Sequence, residues 1–354
     1  MVRGILDTTD GGGGFSVTQP DPLQHGNDAT YLPVTVVICA YTLRRWDAIR
    51  AALESVLDQR PQPQQVLIVV DHNAELADRA RRELRGVAIL ESDGMPGLSA
   101  ARNAGLSAAT QPITVFLDDD AEARPGWLAM LTEPYRSPLV VATGGRVEPR
   151  WPKARPSWLP PEFDWVVGCS YVGLPESGGA VRNPIGANMS MRTALALEVG
   201  GFDVAVGRVR DRLSGGEETE LAIRLTAHRP GSFVYYAPNA TVDHQVGLER
   251  VQFRYFVRRC WHEGLSKARV VRLAGASAGL ERERRQVALV IPRSLARELR
   301  MFLRGDASSL LRAGASVSGL IATTTGYLIG CFDRPLAPLD ATRRNGGTVP
   351  SGGL

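Results

Sequence analysis

From Pro33 onward the chain alternates between short apolar runs and amphipathic stretches. Residues 34–39 (VTVVIC) form a continuous apolar run rich in β-branched side chains, the pattern of a strand buried on both faces. Trp46, Ile49, Leu53, Val56 and Leu57 then recur at helical spacing. The alternation continues with a strand over 66–70, a helix over 75–84, a strand over 87–90, a helix over 98–108 after a Gly/Pro turn, and a strand over 113–117. This order predicts an α/β fold with a Rossmann-like, mostly parallel sheet, and in such sheets ligands bind beyond the carboxyl ends of the strands. No G-x-G-x-x-G follows the first strand, which argues against a dinucleotide cofactor.

The periodicity lapses over 147–186, a stretch rich in Pro, Trp and other aromatics. A loop of that length in a compact domain is usually functional. Beyond Val251 the pattern is helical again, with Phe253, Phe256, Val257 and Cys260 on one stripe. Residues 313–332 carry no charge and are long enough to span a bilayer. Their Ser, Thr and Gly content weakens insertion, so a helix lying on a surface, re-entering it, or packed on the domain is favoured. Residues 1–30 and 337–354 are expected to be disordered tails. The expected organisation is a tail (1–30), an α/β catalytic domain (33–247), a helical, basic, membrane-associated region (248–336) and a second tail (337–354).

Composition narrows this picture in three ways. A length of 354 residues with 44% hydrophobic content suits one large domain with an appendage, or two domains. The formal charge of +4 is small for that length and argues against nucleic acid as a partner. The basic excess is local: arginines crowd together from Arg250 onward, either as a patch facing anionic lipid or as a solvated helical surface. The cysteines (Cys39, Cys169, Cys260, Cys331) lie far apart with no C-x-x-C, which reads as reduced, buried thiols. The first residues hold no apolar stretch of signal-peptide length. The expected location is the cytoplasm, at the cytoplasmic face of the cell membrane.

The candidate chemistry lies at the ends of these elements. The strand over 113–117 runs into Asp118, Asp119 and Asp120. Unpaired carboxylates at the end of a buried strand are costly unless something there needs them. Alternate side chains on extended backbone point the same way, so Asp118 and Asp120 converge while Asp119 points aside. Hard oxygen ligands of this kind suit Mg²⁺ or Mn²⁺, completed by substrate phosphates and water. The plainer alternative is three solvated acids in a loop. Asp71 ends the second strand, where it would accept hydrogen bonds from a ribose or base or else cap the following helix. Glu218 shares a helical face with Leu221, Ala222 and Leu225, whereas Glu217 falls with Glu220 and Arg224 on the opposite, outer face, where Glu220 pairs with Arg224. Glu218 is therefore the inward carboxylate, placed to act as general base for a hydroxyl, with helix capping as the structural alternative. His244 follows a short strand and is the candidate third metal ligand, imidazole suiting Mn²⁺ better than Mg²⁺. The other histidines carry no comparable case. Glycines over 94–105 precede a helix bearing Arg102, which is positioned for a phosphate or an acidic sugar.

The segments VTVVICAYT, VVDH, GLSAARNAG, FLDDDA, GANMSMR, GGF and GEETEL, in this order, resemble family 2 glycosyltransferases of the A-type fold over residues 33–247. GGRVEPRW, EFDWVVGCSYVGLP, VRNPIGANMSMR, EETELAIR and YFVRRCWHEGLSKA resemble the glucosyl-dolichyl-phosphate glucuronosyltransferase-like branch. The resemblance implies inverting transfer of a sugar from a nucleoside-diphosphate sugar, UDP-linked, to an acceptor hydroxyl of a lipid-linked sugar or growing glycan. It implies that Asp118 and Asp120 form the Asp-x-Asp motif, that Ala40, Tyr41 and Asp71 line the nucleoside pocket, that His244 is a metal ligand, and that Glu218 is the base. Glutamate stands at 218 where many members have aspartate, and Gly216 where the branch often has cysteine. The rival readings are a sugar-phosphate nucleotidyltransferase, opposed by the absence of a Gly-rich loop after the first strand, and a catalytically inactive membrane-associated binding protein, opposed by the presence of Asp118, Asp120 and Glu218.

Overall fold

The computed structural model describes residues 32–205, 215–274 and 289–332, so the two expected tails lie outside the described residues. Four parallel strands form the first half of the sheet: β1 (Val34–Ala40), β2 (Gln65–Asp71), β3 (Ala88–Ser92) and β4 (Ile113–Asp118). These are the strands the apolar runs predicted, each within a residue or two. The second half is mixed: β5 (Ala121–Ala123), β6 (Val140–Arg150), β7 (Gly179–Val181), β8 (Asn188–Arg192) and β9 (Phe233–Gln245). The order is β3-β2-β1-β4-β8-β6-β9-β5, with β7 beside β9. β8 runs antiparallel to both β4 and β6, and β6 and β9 are parallel.

Alternation along β1 builds the two faces. Val34, Val36 and Ile38 face a core shared with α1 (Trp46–Leu57), α2 (Ala74–Glu83) and α4 (Trp127–Thr132). Val37 faces a second core shared with α3 (Leu98–Ala108), α5 (Thr193–Glu198) and α6 (Glu217–His228). Asn188 at the start of β8 accepts from Trp127 Nε1 at 2.8 Å and donates to the Ala240 and Arg146 carbonyls. It thereby fixes the central strands at the end where the acids sit.

The C-terminal helices are α7 (Phe253–Ala274), α8 (Ile291–Leu303) and α9 (Ser308–Phe332). With the aromatic segment, whose regular part is a 3-10 helix at Pro161–Val167, they form a third core of Leu159, Phe163, Val166, Phe256, Cys260 and Ala322. Phe256 and Cys260 anchor the expected stripe; Phe253 stays half-exposed, edge-on to Trp158. The uncharged run over 313–332 is helical and packs along α7. A Cβ on Gly326 would strike the Trp261 carbonyl, and one on Gly264 the Thr323 carbonyl. The small residues that weaken membrane insertion are the ones that let the two backbones approach. By length and composition α9 is sufficient to cross a bilayer, with 33% of its apolar window buried. Its outer face leaves Leu311, Ile321, Leu328 and Ile329 exposed.

Two expectations need correction here. The arginines of the basic region do not all face outward: Arg297 and Arg312 hold the buried Glu298 at 2.5 and 2.7 Å, and Arg297 reaches Glu162 at 2.8 Å, tying α8 and α9 to the aromatic segment. All the cysteines are free, but only Cys169 and Cys260 are buried; Cys39 is partly buried and Cys331 is exposed near the end of α9.

Candidate active site

The carboxyl ends of β1, β2 and β4 bring Ala40, Asp71 and Asp118 to one edge of the sheet. Two cavities open there. The larger, about 760 Å³, is lined by Ala40, Tyr41, Asp71, Asp118 and Asp120 on the sheet side and by Arg250, Arg254 and Arg258 on the α7 side. The smaller, about 370 Å³, reaches from Arg102, Glu217 and Glu218 to α7 and α9. Asp118 lines both.

The turn after β4 and the pairing of β5 with β9 create the acid cluster. Ala121 on β5 stands opposite His244 on β9, so the residue before the short strand meets the histidine. Asp118, Asp120 and His244 each offer a ligand atom, all within 4.8 Å of one another. His244 Nε2 is 3.3 Å from Asp120 Oδ1, and its Nδ1 is 3.8 Å from the buried Cys169 Sγ. Asp119, in the turn, stands outside that group and meets Arg45 at 2.5 Å; Arg45 also reaches Asp120 at 3.0 Å. Burial pushes the Asp119 carboxyl up to about 7, against the pull of Arg45. Burial acts on Asp120 in the same direction but is overcome by His244, Arg45 and Arg250, which hold its carboxyl below the usual range. Two carboxylates and an imidazole fit a divalent cation of the Mg²⁺ or Mn²⁺ type, the nitrogen donor suiting Mn²⁺ better.

Asp71 does not cap α2; Asn73 does, accepting from Leu76 N at 3.0 Å. Asp71 instead accepts from Gly97 N at 3.0 Å and lies 2.6 Å from His72 Nδ1, its carboxylate held at the rim of the larger cavity. Tyr41 is exposed there, with the Arg45 guanidinium 5.6 Å from its ring centre.

The first turn of α6 departs from the helical-face expectation. Glu217 is not on an outer face. It is buried, with Oε1 3.0 Å from Arg102 Nη1. Glu220 pairs with Arg224 at 2.5 Å as expected, yet it too is buried, because Arg224 folds back onto the Val199 and Gly201 carbonyls. A two-faced wheel fails for this helix because α3 and the 199–201 turn cover the side assigned to solvent. Arg102 is likewise not poised for a phosphate in the larger cavity. It is fully enclosed, donates to Glu217 and to the Gly186 carbonyl, and stands 3.5 Å from Asp118. Glu218 has no ion pair among the described residues and its Oε2 has no hydrogen-bond partner there. Burial, and next the neighbouring Glu217, push its carboxyl up to about 8 despite Arg102.

Several residues in the site were missed by sequence reasoning. Arg45 pairs with two of the three aspartates, and Arg250, Arg254 and Arg258 line the larger cavity. The four-residue steps between those three arginines were the available signal, since they place Arg254 and Arg258 on one side of α7.

Residues 35–200 match the family Glycosyl transferase family 2. The glucosyl-dolichyl phosphate glucuronosyltransferase of Haloferax volcanii is 35% identical over 240 residues, covering 67% of this chain and 76% of that protein. A probable N-acetylgalactosaminyltransferase 9 of Caenorhabditis elegans is 26% identical over 254 residues, or 64% of this chain and 42% of its own length. Among solved structures, the mannosyltransferase PcManGT from Pyrobaculum calidifontis in complex with GDP-Man and Mn²⁺ superposes with a TM-score of 0.56 at 20% identity, over 89% of this chain and 88% of that one. GalNAc-T7 with UDP, GalNAc and Mn²⁺ does so with a TM-score of 0.50 at 15% identity, over 73% and 55%. At these identities the structural likeness is one of fold.

Proposed function

Because the chain belongs to glycosyltransferase family 2 and has the A-type fold of its solved neighbours, we propose that it is an inverting, metal-dependent transferase moving a sugar from a UDP-linked donor to an acceptor hydroxyl. The observation that carries this reading is the position of Asp118. It borders both cavities, so the Asp118, Asp120 and His244 group stands where a nucleotide-sized space meets the one holding Glu218.

In this reading Ala40, Tyr41 and Asp71 hold the nucleoside, and Arg254 and Arg258 add positive charge over the larger cavity. Asp118, Asp120 and His244 would hold Mg²⁺ or Mn²⁺, which when bound neutralises charge growing on the leaving diphosphate. Arg102 holds Glu217 in place through their ion pair, and leaves the adjacent Glu218 without an ion-pair partner among the described residues. Glu218 takes the proton from the acceptor hydroxyl as that oxygen forms its bond to the anomeric carbon. The bond from that carbon to the phosphate oxygen breaks on the opposite face, its electron pair leaving with the nucleoside diphosphate. A carboxyl raised to about 8 is a stronger base than an ordinary glutamate and is matched to neutral pH.

The acceptor class is carried over from the Haloferax volcanii relative, whose name specifies a glucosyl-dolichyl phosphate: a lipid-linked sugar. The exposed apolar side of α9 supports working at a membrane surface; the cytoplasmic face is part of this proposal. The direct test is thermal-shift screening of UDP, GDP and their sugars with and without Mn²⁺, where selective binding to the native state raises the melting temperature. UDP with Mn²⁺ should stabilise most. No shift with any nucleoside diphosphate and Mn²⁺ would overturn the proposal.

A further inference from the structure

The smaller cavity has a far wall that lies outside the family match, which ends at residue 200: α7 contributes Arg259, and α9 contributes Leu320 and Tyr327. Three buried polar atoms of residues lining this chamber have no partner among the described residues, Glu217 Oε2, Glu218 Oε2 and Arg259 Nε, and Glu217 already holds Arg102 through its other oxygen. Arg259 is otherwise firmly held. Its Nη1 is 2.8 Å from Glu263, its guanidinium stands 5.4 Å from the Trp165 ring centre, and Nη2 lies against Gly215, just ahead of α6. A buried donor and a buried acceptor both left open imply a ligand that supplies the complement of each, because leaving either unmade is costly.

The chemistry of that ligand is restricted. An anion accepts from Arg259 but has no proton to give Glu218 in the ionised form that acts as base. Glu263 pairs with both Arg259 and Lys267, at 2.8 and 3.0 Å, and Glu217 and Glu218 line the same chamber, so an anion there would face three carboxylates. A simple alcohol offers a single oxygen. A polyhydroxy ring offers one hydroxyl to donate and a neighbouring oxygen to accept, and the amphipathic rings of Trp165 and Tyr327 suit its apolar C–H faces. We propose that the smaller cavity is the acceptor site for a neutral saccharide unit. Arg259 is its specificity-determining residue, donating from Nε to the oxygen beside the hydroxyl that Glu218 deprotonates. This rests on the transferase reading above.

The experiment uses the full chain, Mn²⁺, and whichever UDP- or GDP-sugar the wild type hydrolyses in the absence of acceptor. Octyl gluco-, galacto- and mannopyranosides and their monodeoxy analogues serve as acceptors. Wild type should transfer to at least one glycoside and lose at least tenfold in kcat/KM when one particular hydroxyl, beside the reacting one, is removed. Arg259→Met should raise the acceptor KM and lower kcat/KM by at least about thirtyfold, and should no longer distinguish that deoxy analogue, while the melting shift given by UDP and Mn²⁺ persists. Leu320→Trp, which narrows the chamber from α9, should raise the acceptor KM with the same shift intact, and it decides the matter if Arg259→Met does not fold. The inference is overturned if Arg259→Met or Leu320→Trp transfers within threefold of wild type, if Arg259→Met still senses the deoxy position, or if no glycoside accepts while hydrolysis proceeds. Absence of hydrolysis together with absence of any nucleotide-induced shift would instead remove the transferase reading on which it rests.

Discussion

Adjacent glutamates at the start of α6 can each be changed to glutamine, two substitutions alike in size and charge but set in opposite surroundings. Glu217 makes a buried ion pair with Arg102 at 3.0 Å. Removing one partner of such a pair costs about 3–5 kcal/mol, and glutamine, which still accepts one hydrogen bond, should fall at the lower end. Glu218 makes no ion pair among the described residues, and its carboxyl is pushed from 4.5 to about 8, chiefly by burial. A folded state that holds this proton more tightly than the unfolded chain loses stability as pH rises from 4.5 through 8. At about 1.4 kcal/mol per pKa unit, the cost of ionising Glu218 in the ligand-free protein is bounded at a few kcal/mol, and glutamine escapes it. Glu218→Gln should therefore melt at or above the wild type at pH 9, with the difference vanishing towards pH 5, whereas Glu217→Gln should melt several degrees below it. Turnover should change in the opposite order, because Glu218→Gln loses the proton acceptor, worth about a hundred- to ten-thousandfold, and Glu217→Gln does not. Scanning fluorimetry from pH 5 to 9, with turnover at saturating donor, reads both effects. If Glu217→Gln is the more damaging to turnover with nucleotide binding intact, the base assignment moves by one residue. If Glu218→Gln melts below the wild type at pH 9, the carboxyl is not held as described.

The same carboxyl sets a pH profile: kcat/KM should climb with pH and level off above about 8, with roughly a tenth of the maximum at pH 7, and a flat profile from pH 6 to 9 would contradict it. Asp120→Asn should keep the fold and lower metal-dependent transfer by at least about a hundredfold, and wild-type transfer indifferent to EDTA would remove the metal assignment. Arg258→Gln should weaken the UDP–Mn²⁺ melting shift with little change in the stability of the unliganded chain; an unaltered shift would return Arg258 to the solvated surface. Ile321→Asp with Ile329→Asp, on the exposed side of α9, should abolish flotation with anionic vesicles while leaving soluble UDP–Mn²⁺ binding intact. Truncating the C-terminus would be a poorer test, since α9 covers part of α7.

What could be read from sequence follows from how local each determinant is. The parallel strands declare themselves because both their faces are buried, so Val34 to Cys39 reads as one apolar run. Asp118 and Asp120 were read together from the alternation of extended backbone, which needs only neighbours in sequence, although the structure brings them together through the turn at 119–120 between β4 and β5. His244 joined them as the histidine ending a short strand, seconded by the resemblance; the β5–β9 register makes this intelligible, but no local pattern encodes that pairing. The placement of Glu217 failed for the same reason. A helical wheel assumes one covered side, whereas α6 starts in a corner closed by α3, the 199–201 turn and α7. That Arg254 and Arg258 border the larger cavity was not legible, because composition registers their charge but not what they stand beside.

The pairing of charges around the site carries one further step. Asp119 has Arg45; Asp120 shares Arg45 and His244; Glu217 has Arg102. Glu263, across the smaller cavity, has Arg259 and Lys267. Of the carboxylates that reach the junction of the two cavities, Asp118 keeps only the 3.5 Å approach of an arginine already bound to Glu217, and Glu218 has no ion-pair partner among the described residues. A fold that pays for so many buried acids with matched cations, and leaves these two short of them, leaves unmet charge on opposite sides of one point. Asp118 faces the side where a cation with its diphosphate would supply positive charge, and Glu218 the side where a hydroxyl would supply a proton. A rescuing cation placed beside Glu218 tests that division: Thr219→Lys should lower the Glu218 carboxyl towards the ordinary range, flatten the alkaline rise in kcat/KM and reduce the maximal rate as basicity falls, while leaving the UDP–Mn²⁺ shift in place. A variant that keeps both the wild-type profile and the wild-type rate would show that Glu218 does not take the proton.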